Sequence, residues 1–347
     1  MKKISLLVFT LVISGFLCAQ VPAYYLGINF AASSVDLRNA LSDRISDTHT
    51  TFITYDLVWD VLKQSDLDPT NAANVLLIYG YNDSDGDLEN DRSRNKNDNG
   101  GSSGEWNREH VFPKSLGSPD LGTSGPGSDA HNLRACDVAT NGYRSNRLFA
   151  DGSGNAGNVG ANWYPGDEWK GDCARIVMYM YLRYDLRCRP IYVAAGSVNA
   201  MDANMIDVLL DWNAEDPVSE LEENRNDVIY GYQGNRNPFI DNPKIATLIW
   251  GGPDAEDKWG GVGLEEINSS AFSVYPNPVI GDLLHIESRS NQSFEGVKLF
   301  NVSGKLVYSS TLISTYQEIS TQSFEPGVYF LSIQTANGNY QKKVILK

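Results

Sequence analysis

Glu109 and His110 stand side by side in Trp106-Asn107-Arg108-Glu109-His110-Val111-Phe112-Pro113. Two further polar runs follow closely, Asp129-Ala130-His131-Asn132-Leu133-Arg134 and Asn141-Gly142-Tyr143-Arg144-Ser145-Asn146. A carboxylate beside an imidazole, an amide oxygen and several guanidiniums are the parts needed to hold a hard divalent cation against a phosphodiester. The same parts can deprotonate a water beside it. Mg²⁺ takes oxygen ligands in near-octahedral geometry and keeps several waters. Glu109 would bring charge and the Asn141 carbonyl a neutral second ligand, with Mn²⁺ or Ca²⁺ as alternative occupants. His110 is the expected general base, because imidazole titrates near neutrality and its neutral form takes a proton from water. Arg144 is the first choice to hold the non-bridging oxygens, ahead of Arg108, and Arg134, Arg147 and Arg236 are further candidates for substrate contact. Asn132 competes with Asn141 as ligand, and a helix-start position favours Asn141. His131 and Asn132 are otherwise expected just behind the site, with His131 a hydrogen-bonded structural histidine. His49 and His285 lie outside every motif, and Asp129 and Asp137 are expected to hold backbone or arginine partners.

The elements around these residues must solve a geometric problem. Consecutive strand residues face opposite sides, so Glu109 and His110 cannot both aim at one site from a regular strand. The backbone is expected to bend, bulge or end its strand there, and Pro113 fits such an interruption. Asn141-Gly142 would then open the helix of a strand–strand–helix unit, with Val138 and Ala139 ending the second strand.

Flanking helices are predicted over 33–47, where Ser33 and Asp36 resemble a capping box, and over 54–63, with Leu57, Val58, Val61 and Leu62 on the apolar face. Residues 75–79 read as a short buried strand. A helix over 172–187, capped by Asp172, carries Ile176, Val177, Met180, Tyr181 and Tyr184 as core. Another opens at the Ser219-Glu220-Leu221-Glu222 capping box. Trp106 is expected in the core. The polar run from Asn82 to Gly104 is a loop. Its Asp83-Ser84-Asp85-Gly86-Asp87 spacing hints at a structural Ca²⁺, although the register of a helix–loop–helix calcium site fails.

Residues 1–20 read as a secretory signal: Lys2 and Lys3, an apolar run, then Leu17-Cys18-Ala19. That run is too short to span a bilayer comfortably, and no integral membrane segment is expected. Cys136, Cys173 and Cys188 allow one disulfide whose pairing is open, and no zinc spacing occurs. The formal charge of −15 argues against tight binding of a polyanion. A local basic stretch over 170–189 softens that objection. Composition shifts at Gly251. Residues 21–250 would form the catalytic domain and 251–266 a Gly/Pro/acid linker. Residues 267–347 would form an all-β sandwich, with Asn337-Gly338 as a hairpin turn.

The runs Trp106 to Val111, Gly125-Pro126-Gly127-Ser128 through Arg134, and Asn141 to Asn146 resemble the secreted endonuclease I family. That family includes bacterial extracellular ribonucleases and belongs to the ββα-metal (His-Me finger) nucleases. The similarity spans roughly residues 25–250. It implies an α+β catalytic domain, His110 as base, Glu109 and Asn141 as metal ligands, and products with 5′-phosphate ends. Some members also carry an arginine downstream of the glutamate. This chain has Pro126-Gly127-Ser128 there, with no arginine, so the clamp stays open, Arg144 being the first choice and Arg108 the alternative. Ser273-Val274-Tyr275-Pro276-Asn277-Pro278, Phe300 to Lys305 and Pro326-Gly327-Val328-Tyr329-Phe330 resemble the C-terminal sorting domain of type nine secretion in Bacteroidetes. That resemblance implies an outer-membrane secretion machinery as partner and a secreted or cell-surface destination.

The expected function is therefore a secreted, metal-dependent, non-specific endonuclease acting on DNA, RNA or both. The alternative is a catalytically inactive surface binding protein that keeps the nuclease fold. A glycosidase would need paired carboxylates across a cleft.

Overall fold

Leu37, Leu41 and Ile45 recur at four-residue spacing and are buried together on one face of helix α1 (Ser34–Thr48), whose Ser33 cap accepts the Asp36 amide. The computed structural model describes residues 21–259, 272–289, 293–301, 305–311, 313–335 and 338–347. The expected export signal and Asn337 of the expected turn lie outside them. Helix α2 (Val58–Ser65) begins four residues later than its apolar pattern predicts. Thr54 Oγ1 accepts the Leu57 amide, so residues 54–57 form a turn before the helix.

Strands β1 (Leu67–Asp68), β2 (Asn71–Leu76) and β3 (Ser93–Asn95) make an antiparallel sheet. The apolar run 75–79 is buried as expected, but only its first two residues belong to the strand. Leu77, Ile78 and Tyr79 peel away, and the Ile78 amide donates to the Ala135 carbonyl at 2.8 Å. That detour carries Tyr79 to the active-site ribbon.

The ribbon pairs β4 (Trp106–His110) with β5 (Leu133–Asp137) antiparallel, in a regular register from Trp106 opposite Asp137 to His110 opposite Leu133. Helix α3 (Val138–Arg144) follows at once, completing the strand–strand–helix unit. It opens three residues earlier than expected. Asp137 accepts the Ala139 and Thr140 amides, so Val138 and Ala139 form the first helical turn and Asn141 sits mid-helix. Trp106 is fully buried, as expected.

A small hairpin, β6 (Gly157–Val159) and β7 (Asn162–Tyr164), precedes the central helix α4 (Lys170–Tyr184). Asp172 is not its cap. It lies inside the first turn, buried, and accepts Arg134 Nη1 at 2.6 Å. The Met/Tyr stripe of α4 is core, as expected. Around α4 stand α5 (Asp207–Glu215), α6 (Glu220–Gln233) with its Ser219/Glu222 capping box, α7 (Pro238–Asp241) and α8 (Lys244–Trp250).

Three further expectations change. The stretch after Gly251 is not a free linker up to Trp259. Trp259 packs on Tyr25 and Phe30, Ala255 is buried, and the Lys244 amide donates to the Glu256 carbonyl. Its Gly/Pro composition hid two apolar anchors. The basic stretch 170–189 is not a basic face: Arg175 is buried against Glu222, Lys170 pairs with Glu215, and Arg187 donates to the Pro119 and Asp120 carbonyls. Cys136, Cys173 and Cys188 are free and buried rather than bridged.

The C-terminal strands are β8 (Phe272–Tyr275), β9 (Leu283–Ser288), β10 (Phe294–Asn301), β11 (Leu306–Ser310), β12 (Tyr316–Ser320), β13 (Gly327–Thr335) and β14 (Gly338–Leu346). They form two sheets, ordered β12-β9-β8 and β11-β10-β13-β14. Phe272, Leu284, Ile286, Val297, Leu299 and Leu331 form part of their shared core. The architecture is α+β followed by a β-sandwich. Among the described residues no helix is long and apolar enough to cross a membrane.

Candidate active site

β4 has no bulge and ends at His110, so its side chains alternate strictly. Asn107 and Glu109 face α3. Asn141 Nδ2 donates to Asn107 Oδ1 at 2.6 Å, and Arg144 Nη1 lies 3.1 Å from Glu109 Oε1. Arg108 and His110 face the other way, toward residues 53–59 and the Gly125–Gly127 turn. His110 packs beside the Tyr55 ring at 5.7 Å, and the Arg108 guanidinium lies 3.6 Å from the Tyr55 centroid and 4.1 Å from that of Trp59.

His110 Nε2 donates to the Gly127 carbonyl at 2.9 Å, which leaves Nδ1 with the lone pair. Burial pulls the imidazole down to about 4, with the Gly127 bond opposing and the charges of Lys114, Arg108 and Arg144 adding to the shift. The ring is therefore neutral at neutral pH, as a base must be. A Cβ on Gly127 would collide with the Gly122 and Leu121 carbonyls, so glycine is what lets this turn close under the imidazole.

Glu109 is only 2% exposed, and Tyr79 Oη donates to its Oε1 at 3.0 Å. Burial pushes its carboxyl up to about 7, with Arg144 and then Tyr79 opposing. Both named partners engage Oε1, and Oε2 takes part in neither contact. Asn141 likewise spends its amide nitrogen on Asn107, which frees its oxygen. One carboxylate oxygen and one amide oxygen, both hard donors, fit a Mg²⁺ that keeps its remaining waters. Tyr79 reaches Glu109 from a left-handed backbone, φ +74°, a strained conformation for a bulky residue.

The other expected site residues divide sharply. Arg144 is not at the surface: it is fully buried, bonded to Glu109 and to the His110 and Val111 carbonyls. That placement has it supporting Glu109 and closed off from solvent. Arg134 is also fully buried, held between Asp66 and Asp172, and cannot touch substrate. Arg236 ties down its loop through Asp227 and Asp241. Arg147 donates to the Tyr143 and Arg144 carbonyls at the end of α3. Asn132 is fully buried and uses both ends of its amide on the Phe112 backbone. His131 is buried against Tyr179 with Nε2 3.3 Å from the Asn235 carbonyl, a structural histidine. Asp129 accepts the Tyr179 and Tyr184 hydroxyls, and Asp137 pairs with Arg94.

The Asp83–Asp87 run does not converge on a cation. Asp83 accepts the Arg92 and Ser93 amides, Asp85 accepts the Asp87 amide and two asparagine side chains, and Asp87 caps a short turn. Among the described residues no three His, Cys, Asp or Glu side chains gather as metal ligands. Sequence reasoning missed Tyr79, Tyr55, Asn107 and the Gly127 carbonyl. Only Asn107, inside the motif and two residues before Glu109, carried a readable signal.

The Endonuclease I family model matches residues 33–244. The chain belongs to the Endonuclease I family. It is a secreted nuclease, and the model of the secretion system C-terminal sorting domain matches residues 273–347. The extracellular ribonuclease of Bacillus subtilis (strain 168) is 41% identical over 247 residues, covering 67% of this chain and 80% of its own. The extracellular ribonuclease of Bacillus amyloliquefaciens is 42% identical over 233 residues, covering 63% of this chain and 75% of its own. Sorting domain and extracellular relatives together place this nuclease outside the cell or at its surface.

Proposed function

We propose that this nuclease hydrolyses phosphodiester bonds in RNA and DNA without sequence preference, using Mg²⁺ at Glu109 and Asn141 and leaving 5′-phosphate ends. The observation that carries the reading is the placement of His110 on one face of the β4 end and of the Glu109 and Asn141 oxygens on the other. A phosphate at that end would have the base on its attacking side and the cation on its leaving side, the layout of an in-line displacement. His110 Nδ1 takes the proton from the attacking water, while the Gly127 carbonyl fixes the ring and its tautomer. Glu109 and Asn141 would hold the Mg²⁺, which would supply Lewis-acid stabilisation of charge developing on the departing 3′ oxygen.

Arg108 holds the non-bridging oxygens in place of Arg144. Its side chain is 13% exposed, it lies on the His110 face, and its nearest carboxylate, Asp56, is 3.9 Å away and almost wholly in solvent. Two aromatic rings orient the guanidinium without neutralising it. Ribonuclease relatives support RNA as a substrate, and phosphate-dominated contacts support tolerance of sequence and of DNA. The sorting domain delivers the enzyme to the outer-membrane secretion machinery.

Purified protein is expected to degrade total RNA and plasmid DNA with Mg²⁺ present, to stop on adding EDTA, and to resume on excess Mg²⁺. End-labelling should find 5′ phosphates. Cleavage indifferent to chelation would remove the metal from the reaction, and an inert protein would leave the binding-protein reading.

A further inference from the structure

Residues 49–57, between α1 and α2, form neither helix nor sheet, yet they are anchored along the His110 face of the site. The Thr50 and Thr51 amides donate to the Gln233 carbonyl, Ser128 Oγ donates to the Ile53 carbonyl at 2.8 Å, and Arg108 donates to the Tyr55 carbonyl. Ser128 follows directly on Gly127, whose carbonyl orients His110. The segment and the general base are thus fastened to the same turn.

Two rings line this face, and a third lies a few residues earlier on the same segment. Trp59 and Tyr55 hold Arg108, and Tyr55 also packs beside His110. Phe52 comes next. It is 63% exposed, more than any other aromatic side chain among the described residues. One side of its ring rests on His49, 4.6 Å between centroids and 23° between planes. His49 is itself 4% exposed, so it gives Phe52 a fixed floor and leaves the outer side of the ring to solvent. Phe52 stands three positions before Tyr55, so their Cα atoms are at most about 10 Å apart even in extended chain. The ring therefore belongs to the segment that borders His110 and Arg108.

We propose that Phe52 is a stacking platform for an unpaired nucleobase next to the scissile phosphate, so that this nuclease takes single-stranded nucleic acid in preference to duplex. The proposal rests on the assignment of the His110 and Arg108 face as the substrate face. Every base has a π-face, so stacking adds affinity without sequence preference, in keeping with a phosphate-reading site. A base inside a duplex has both faces covered by its neighbours and gains nothing from the ring. An unpaired base offers one. The rigid floor matters, because a ring already held in place loses little freedom when a base lands on it.

The test uses the full-length protein with Mg²⁺, as wild type, Phe52→Ala and Phe52→Trp. Three substrates are compared: a mixed-sequence single-stranded oligonucleotide, its duplex, and the same strand carrying abasic sites. Phe52→Ala is expected to raise KM on the single strand by about 5- to 100-fold with little change in kcat, and Phe52→Trp to restore it. KM for duplex and abasic strand should barely move, so the preference for single strands collapses. The slope of log kcat/KM against log salt should stay the same, because no phosphate contact is lost. A wild-type KM for Phe52→Ala on the single strand overturns the platform, and so does an equal loss on abasic and base-bearing strands. Wild-type protein that cleaves none of the three substrates overturns the nuclease-site reading itself, and the platform with it.

Discussion

His110→Ala is expected to lower kcat by about two to four orders of magnitude and to leave Mg²⁺ affinity, measured by calorimetry, near that of the wild type. The loss is large because neither of the other two imidazoles before Gly251 is placed to take over. His131 is enclosed against Tyr179 and Asn235, and His49 lies beneath Phe52. The affinity should survive because the proposed ligand oxygens, of Glu109 on β4 and Asn141 on α3, lie on the side of the strand away from His110. Added imidazole should recover part of the rate, since the cavity left beside Tyr55 matches the missing ring. Near-normal turnover of His110→Ala at saturating Mg²⁺ would hand the proton transfer to another group.

Arg144→Ala should cost about 3–5 kcal/mol of stability in denaturant unfolding, an effect far beyond that of an ordinary surface arginine. Arg144 is fully buried, and removing it strands the Glu109 carboxylate without its counter-charge while orphaning the His110 and Val111 carbonyls. Adding Glu109→Gln to Arg144→Ala should recover part of the loss, because a neutral amide needs no counter-charge. If Arg144→Ala instead unfolds like wild type and only raises KM, the guanidinium is after all reading phosphate.

Arg144 also marks where the sequence stops being readable. The motif around Glu109, His110 and Asn141 could be read directly, because a carboxylate, an imidazole and an amide at those spacings narrow the chemistry to a few reactions. Strand alternation even exposed the geometric conflict between Glu109 and His110, and the strand does end there. Nothing in the string, however, says which guanidinium is buried. Arg144 and Arg108 differ in their partners, and those partners arrive from distant segments: Glu109 for the one, Tyr55 and Trp59 for the other. Tyr79 was out of reach for the same reason, since its contact with Glu109 depends on the chain peeling away from β2. The early start of α3 was legible and overlooked, because aspartate is a strong cap and Asp137 stands directly before Val138. Trp259 and Ala255 misled in the opposite sense, as two buried anchors inside a composition typical of linkers.

Under the proposed assignment, two adjacent residues of one strand would also fix the handedness of the reaction. With the proposed base on one side of the ribbon and the proposed ligand oxygens on the other, water would enter phosphorus opposite the departing oxygen in a single displacement. The configuration at phosphorus should therefore invert, which a phosphorothioate diester of known chirality cleaved in isotopically labelled water would reveal. Retention would require two displacements through a covalent phosphoryl-enzyme. The strict alternation along β4, which looked like an obstacle to building the site, would then have no bearing on its chemistry.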